Sequence, residues 1–118
     1  MGIFSIMDSI FMSLIIIGGG FMCKSVANEK PNNGMGYRTK LSKKNLDTWK
    51  EANTYGGNML IICGIVYFIL SLTYSILFFN NNMTVIVVSI GMLPVLLIGI
   101  LFSEKHLKNM FDNDGNRK

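Results

Sequence analysis

Residues 59–102 read MLIICGIVYFILSLTYSILFFNNNMTVIVVSIGMLPVLLIGILF, and this stretch decides the fold. Two apolar blocks, Met59 to Phe79 and Thr84 to Phe102, carry no acidic or basic side chain and are separated by little more than Asn80, Asn81 and Asn82. Each approaches the ~20 residues that cross a ~30 Å hydrocarbon core as a helix. So short a link forces the two into a tight antiparallel hairpin. Within the first block, Gly57, Gly64 and Ser71 recur every seven residues, marking a stripe for close contact with a neighbouring helix. Pro94 is expected to bend the second block, because it withdraws one backbone donor from the helix.

Upstream lies a third apolar block, Ile3 to Cys23. Half the 118 residues are hydrophobic and only 15% are charged, against about a quarter in a soluble domain. The expected fold is therefore an all-α integral membrane protein, one domain over residues 1–118, with spans at about 3–23, 58–79 and 84–102. A cleaved signal peptide would want a basic segment before the first block, and no Lys or Arg precedes Ile3. That block is read as a span. Ser5, Ser9 and Ser13 give it a small, polar face suited to helix packing. Gly18, Gly19 and Gly20 either permit close approach or let the helix end early.

The net charge of +4 follows the membrane rather than a nucleic acid. Seven of the eleven Lys and Arg residues lie between Lys24 and Lys50, four follow Phe102, and the Asn80 to Asn82 turn has none. Short basic loops stay in the cytoplasm, which puts the N-terminus outside, the loop 24–57 inside and the tail 103–118 inside the cell membrane.

That loop is the one long polar passage and holds the only Trp. Asn32, Asn33, Gly34 and Gly36 suit a compact turn. From Ser42, an expected N-cap, Leu46, Trp49, Ala52 and Asn53 share one helical face, with Lys43, Asp47, Lys50 and Glu51 on the other. This predicts a short amphipathic helix lying on the inner membrane surface, with a Lys43–Asp47 pair, turning into the second span at Gly56 and Gly57. After Phe102, helix is expected around Lys105 to Phe111, and Asp112 to Lys118 has the composition of a frayed terminus.

Two charged residues stand out as site candidates. Asp8, inside the first span, either reaches the outer interface or serves as an intramembrane ligand or proton site. Arg38 offers a planar fork for a phosphate or carboxylate, or else pairs with Asp47 or Glu51 and pins the loop. Cys23, Cys63 and His106 share one depth but lack a fourth ligand, so neither a metal nor any other cofactor is expected. A single His gives no acid/base or nucleophile set, and no enzyme is read here.

The run Asn33 to Thr39, N-G-M-G-Y-R-T, followed by Ser42, Trp49, Ala52-Asn53, Gly57 and then a span, resembles the SdpI/YfhL family of bacterial membrane proteins. With Lys40-Leu41-Ser42 after the motif and no additional N-terminal half, the chain looks like a short, single-module branch. The resemblance implies an integral membrane immunity protein that protects its cell against a secreted toxic peptide or antimicrobial by binding rather than turnover. It also implies a signalling role through recruitment of a cytoplasmic regulator. The family motif falls on Asn33, Gly36, Tyr37, Arg38, Thr39, Trp49, Asn53 and Gly57. Implied partners are the lipid bilayer, a toxic peptide on the outer side, a regulator at the inner loop and further copies of the chain, with no nucleic acid. The competing expectation is a small multidrug-type transporter subunit using Asp8 as its coupling acid.

Overall fold

The computed structural model describes residues 2–30 and 36–118. The turn expected at Asn32, Asn33 and Gly34 lies outside them. The described residues form three helices: α1 (Gly2–Val26), α2 (Leu46–Leu77) and α3 (Thr84–Met110). All three are long and apolar enough to cross a membrane, and no strand accompanies them among the described residues.

The bundle is packed with small residues inside and large apolar ones outside. Ser5, Ser9 and Ser13 are at most 2% exposed, whereas Phe11, Leu14, Leu70 and Leu101 are each about 60% exposed. Lipid solvates Leu as well as a protein interior does, so helices associate through close backbone approach instead. The expected small-residue faces supply it. A Cβ built on Gly57 would stand 2.6 Å from the Gly20 carbonyl oxygen, and one on Gly20 would stand 2.6 Å from that of Gly57. Gly64 is pressed on Ile17 in the same way, and the Ser9 and Ser75 hydroxyls lie 3.4 Å apart. These pairs run in opposite directions along α1 and α2, which are antiparallel. The buried hydroxyls are satisfied within α1 itself: Ser9 donates to the Ser5 carbonyl at 2.9 Å and Ser13 to that of Ser9 at 2.6 Å.

The α2–α3 hairpin forms as expected. Its link is closed by the Asn81 amide on the Phe78 carbonyl at 3.0 Å and by the Thr84 hydroxyl on the same carbonyl at 2.7 Å. Further in, the Tyr67 hydroxyl donates to the Val88 carbonyl at 2.8 Å. α3 remains one helix through Pro94, and α1 continues past its three glycines to Val26.

Three expectations are corrected. First, no separate amphipathic helix precedes the second span, because Leu46–Leu77 is a single helix of 32 residues. At ~1.5 Å per residue it is ~48 Å long, well beyond a ~30 Å hydrocarbon core, and its first turns pack on the end of α3 and the tail, with Ala52 against Leu107 and Phe111. Gly56 and Gly57 do not break it; Gly57 is where α1 touches. Trp49 is buried among protein rather than presented to lipid. Second, Asn45 and not Ser42 caps the helix. Its side chain accepts from the Thr48 amide at 2.8 Å and the Thr48 hydroxyl accepts from the Asn45 amide at 3.0 Å, a reciprocal capping box. Third, the tail folds back. Phe111 is 1% exposed and bridges to Arg117, and the Asn45 side chain donates to the Gly115 carbonyl at 2.8 Å.

Candidate functional site

The polar loop is built from the backbone of two residues. Gly36 adopts φ +100°, a left-handed conformation that side-chain-bearing residues rarely take. A Cβ there would also meet the Asn53 side-chain oxygen at 2.6 Å and Val26 at 2.8 Å. Only glycine lets the chain pass between α1 and α2 at this point. Tyr37 follows, and its amide donates to Asn53 Oδ1 at 2.6 Å. Asn53 Nδ2 donates to the Trp49 carbonyl at 3.0 Å and reaches the Tyr37 carbonyl at 3.4 Å. One buried amide side chain thus reads both backbone groups of Tyr37 and ties them to α2.

Two more bonds complete the clasp. The Trp49 indole Nε1 donates to the Val26 carbonyl at 2.9 Å, satisfying an end-of-helix acceptor of α1 that has no intrahelical donor. The Tyr37 hydroxyl donates to Glu104 Oε1 on α3 at 2.8 Å. Burial first, and the Glu104 carboxylate second, raise the Tyr37 phenol well above its ordinary range. Ser42 fixes the turn beyond: its hydroxyl oxygen accepts from the Thr39 amide at 2.7 Å and stands 3.0 Å from the Tyr37 carbonyl oxygen. The loop is therefore fastened to α2 by the Asn53 amide and to α3 by the Glu104 carboxylate, while Trp49 ties α2 to α1.

Of the sequence-predicted site residues, Gly36, Tyr37, Trp49 and Asn53 meet in this clasp, and Thr39 takes part through Ser42. Gly57 lies one turn further along α2, against α1. Arg38 is exposed beside the clasp. The partners expected for it are engaged elsewhere. Asp47 takes both Arg117 nitrogens at 2.7 and 2.8 Å, and Glu51 binds His106 Nε2 at 2.6 Å, with the imidazole stacked on Tyr55 at 3.8 Å. Asn33 lies outside the described residues. Asp8 is remote from this group; half-buried between α1 and α3, it accepts from the Ser89 hydroxyl at 2.7 Å.

Next to the clasp is a cavity of about 340 Å³, lined by Gly36, Tyr37, Arg38 and Thr39 of the loop and by side chains of all three helices. Those from the helices include Cys23, Met59, Leu60, Leu96, Gly99 and Ser103. The walls are mainly apolar, and the only formally charged residue among them is Arg38.

A family model described as the SdpI/YfhL protein family matches residues 29–103. The chain belongs to that family. The match spans the loop, α2 and most of α3, and leaves out all of α1, the tail and the clasp residues Val26 and Glu104. No curated protein and no solved structure was found to match the chain.

In this SdpI-family chain, of the residues expected from the resemblance, Gly36 gives the clasp its backbone, Asn53 its paired amide and Trp49 its indole donor, and Gly57 contacts α1. Sequence reasoning missed Glu104, Val26 and the cavity wall at Gly99 and Ser103. Glu104 is the first charged residue after the third apolar block, a signal that it stands level with the loop. The cavity has no comparable signature, because it arises where small residues on two helices face each other.

Proposed function

We propose that this protein is an SdpI-like membrane immunity protein, which protects its cell from a secreted toxic peptide or antimicrobial by binding and without turnover. The observation that carries the reading is the joint placement of the family motif and the cavity. The Gly36–Asn53 clasp holds the loop rigidly over an apolar recess and sets Arg38 at its mouth. Shape is specified here by satisfied buried polar groups, which is how a recognition surface is kept in one conformation. In this reading the loop end faces the cytoplasm of a bacterial cell, the N-terminus lies outside, and the same surface is open to a cytoplasmic regulator.

The test is expression in a toxin-sensitive strain, with survival scored against a panel of secreted antimicrobial peptides. Protection is expected from the native chain and not from Arg38→Lys, which keeps the charge and loses the planar two-pronged donor. Full protection by Arg38→Lys at native membrane abundance would remove Arg38 from the site. Cysteine labelling checks orientation: a cysteine at Asn81 should react with an impermeant reagent on intact cells.

A second reading rests on one observation, the half-buried Asp8 held by Ser89 between two helices. An intramembrane acid with a neutral partner suits a proton-coupled transporter subunit working in several copies. The two readings separate on Asp8→Asn, which abolishes transport-based resistance and leaves binding-based protection in place.

A further inference from the structure

The cavity beside the clasp is lined by residues of the polar loop and by residues of the apolar spans. Its wall includes Ile100, which is 45% exposed on the apolar flank of the bundle. Its helical lining belongs to the ends of the apolar spans nearest the loop, with Met59 and Leu60 at the start of the second and Leu96 and Ile100 near the close of the third. At about 340 Å³ it falls in the lower part of the ~300–1,000 Å³ range of ligand sites. Toward the loop the charge turns positive. Arg38 lines the cavity itself, and the exposed Lys40, Lys43 and Lys44 follow within the same loop. Glu104 accepts the Tyr37 hydroxyl and lines a separate recess with Lys40 and Lys108.

We propose that the cavity holds one acyl chain of an anionic phospholipid from the leaflet on the loop side, with the lipid phosphate at Arg38. The proposal deepens the binding reading given above and rests on it for biological purpose, but the lipid site is tested without any toxin. Three properties favour a lipid over a soluble anion or a peptide. The walls are apolar along the span and basic only at the end where headgroups lie. The lining reaches the apolar flank of the bundle at the partly exposed Ile100. A guanidinium at the interface grips a phosphate through paired, charge-assisted hydrogen bonds, and basic recesses between helices at that depth suit anionic headgroups. The clasp contributes indirectly, since Gly36 and Asn53 fix the backbone of Tyr37 immediately before Arg38.

The experiment is native mass spectrometry of the full-length protein released from vesicles of equimolar phosphatidylglycerol and phosphatidylcholine. The expected result is one phosphatidylglycerol retained per chain. Arg38→Gln should lower that retention by about tenfold or more, the scale of losing a charge-assisted pair. Leu96→Trp, which fills the recess, should abolish retention of either lipid. Lys105→Gln, an exposed charge away from the cavity, should change nothing. Native circular dichroism of each variant separates loss of the site from loss of fold, and Leu60→Trp fills the same recess from α2 should Leu96→Trp not fold. Equal retention of both lipids by the native chain would overturn the proposal, as would unchanged phosphatidylglycerol retention in Arg38→Gln. A graded series of bound lipids insensitive to both filling variants would show ordinary annular lipid and overturn it too. A retained peptide in place of lipid would overturn it in favour of a peptide site. Failure of the toxin assay with lipid retention intact would count against the immunity reading and leave the lipid site standing.

Discussion

The two ends of this bundle are built on different principles. At the turn end, α2 and α3 are joined by a few exposed residues, and the link is held by backbone bonds and two short side chains, Asn81 and Thr84. At the loop end, Ser42, Thr48 and Asn53 are wholly buried, and side-chain bonds join the loop to α2 and α3 and α2 to α1. Burying polar groups costs free energy unless each finds a partner. The turn end connects two helices with one such group, the buried Thr84 hydroxyl. The loop end buries several, and most of the described residues expected from the family resemblance lie there.

The largest expected effect breaks the contrast at its centre. Trp49→Ala removes a fully buried indole and leaves the Val26 carbonyl with the Glu29 amide as its remaining donor. Such a change costs ~3–5 kcal/mol in a well-packed site. Leu77→Ala, at the turn end on a side chain 72% exposed, should stay within ~0.5 kcal/mol. Unfolding of both variants in mild detergent, titrated with a denaturing one, gives the comparison directly. Similar losses would mean that the two ends are equally ordered. Next is Gly57→Leu, whose side chain would be driven into the Gly20 carbonyl; overpacking of this kind costs ~1–3 kcal/mol or more. Gly18→Leu meets nothing within 4 Å and should be silent in the same assay. Asn53→Ala comes third. It strands the Tyr37 amide, a loss of ~1–3 kcal/mol, whereas Asn81→Ala frees only an exposed amide that water can satisfy.

The same contrast marks how far the sequence could be read. Spans, hairpin and small-residue seams were legible because lipid imposes length, apolarity and close packing on any helix that crosses it. The Gly57 and Gly64 stripe shows this well, since its period alone placed it on a helix contact. The loop end was legible in its membership and not in its mechanics. Trp49 beside basic residues has the pattern of a membrane anchor, yet the tertiary fold covers it with the loop and the end of α1. Ser42 and Asn45 are both good capping residues, and the choice fell to Asn45 because Thr48 completes its capping box while Ser42 is engaged by Thr39 and Tyr37. The tail looked frayed by composition. What orders it is a long-range contact to α2, which no local pattern reports.

A smaller effect sharpens the picture at the loop end through pH. The Tyr37 phenol is raised by burial and by Glu104, so its folded value lies above the unfolded one. Stability from this group is full below its ordinary value near 10 and declines as pH rises beyond it, because the unfolded chain then loses the proton first. Alkaline destabilisation above that point should weaken in Tyr37→Phe. Identical alkaline curves for the two proteins would remove Tyr37 from the balance.

The smallest expected effect concerns the tail. Arg117 engages Asp47 through two nitrogens, stacks 5.0 Å from the Phe111 ring centroid, and brings Gly115 within reach of the Asn45 cap. Both partners of the ion pair are about half exposed, so water and salt screen it and its share of global stability is minor. Its influence should be local. The Arg117 hydrogen bonds hold the Asp47 carboxyl below its ordinary value. A depressed folded value means that the pair supports the tail at neutral pH and down to the usual carboxylate range, then loses that support as pH falls through the lower, folded value. Cleavage after Asp114 by an aspartate-specific protease should therefore be slow at neutral pH, faster in Arg117→Gln, and faster in the native chain at raised salt, while the helices keep their protection throughout. If Arg117→Gln leaves cleavage unchanged, the buried Phe111 ring and the Asn45–Gly115 bond are what hold the tail.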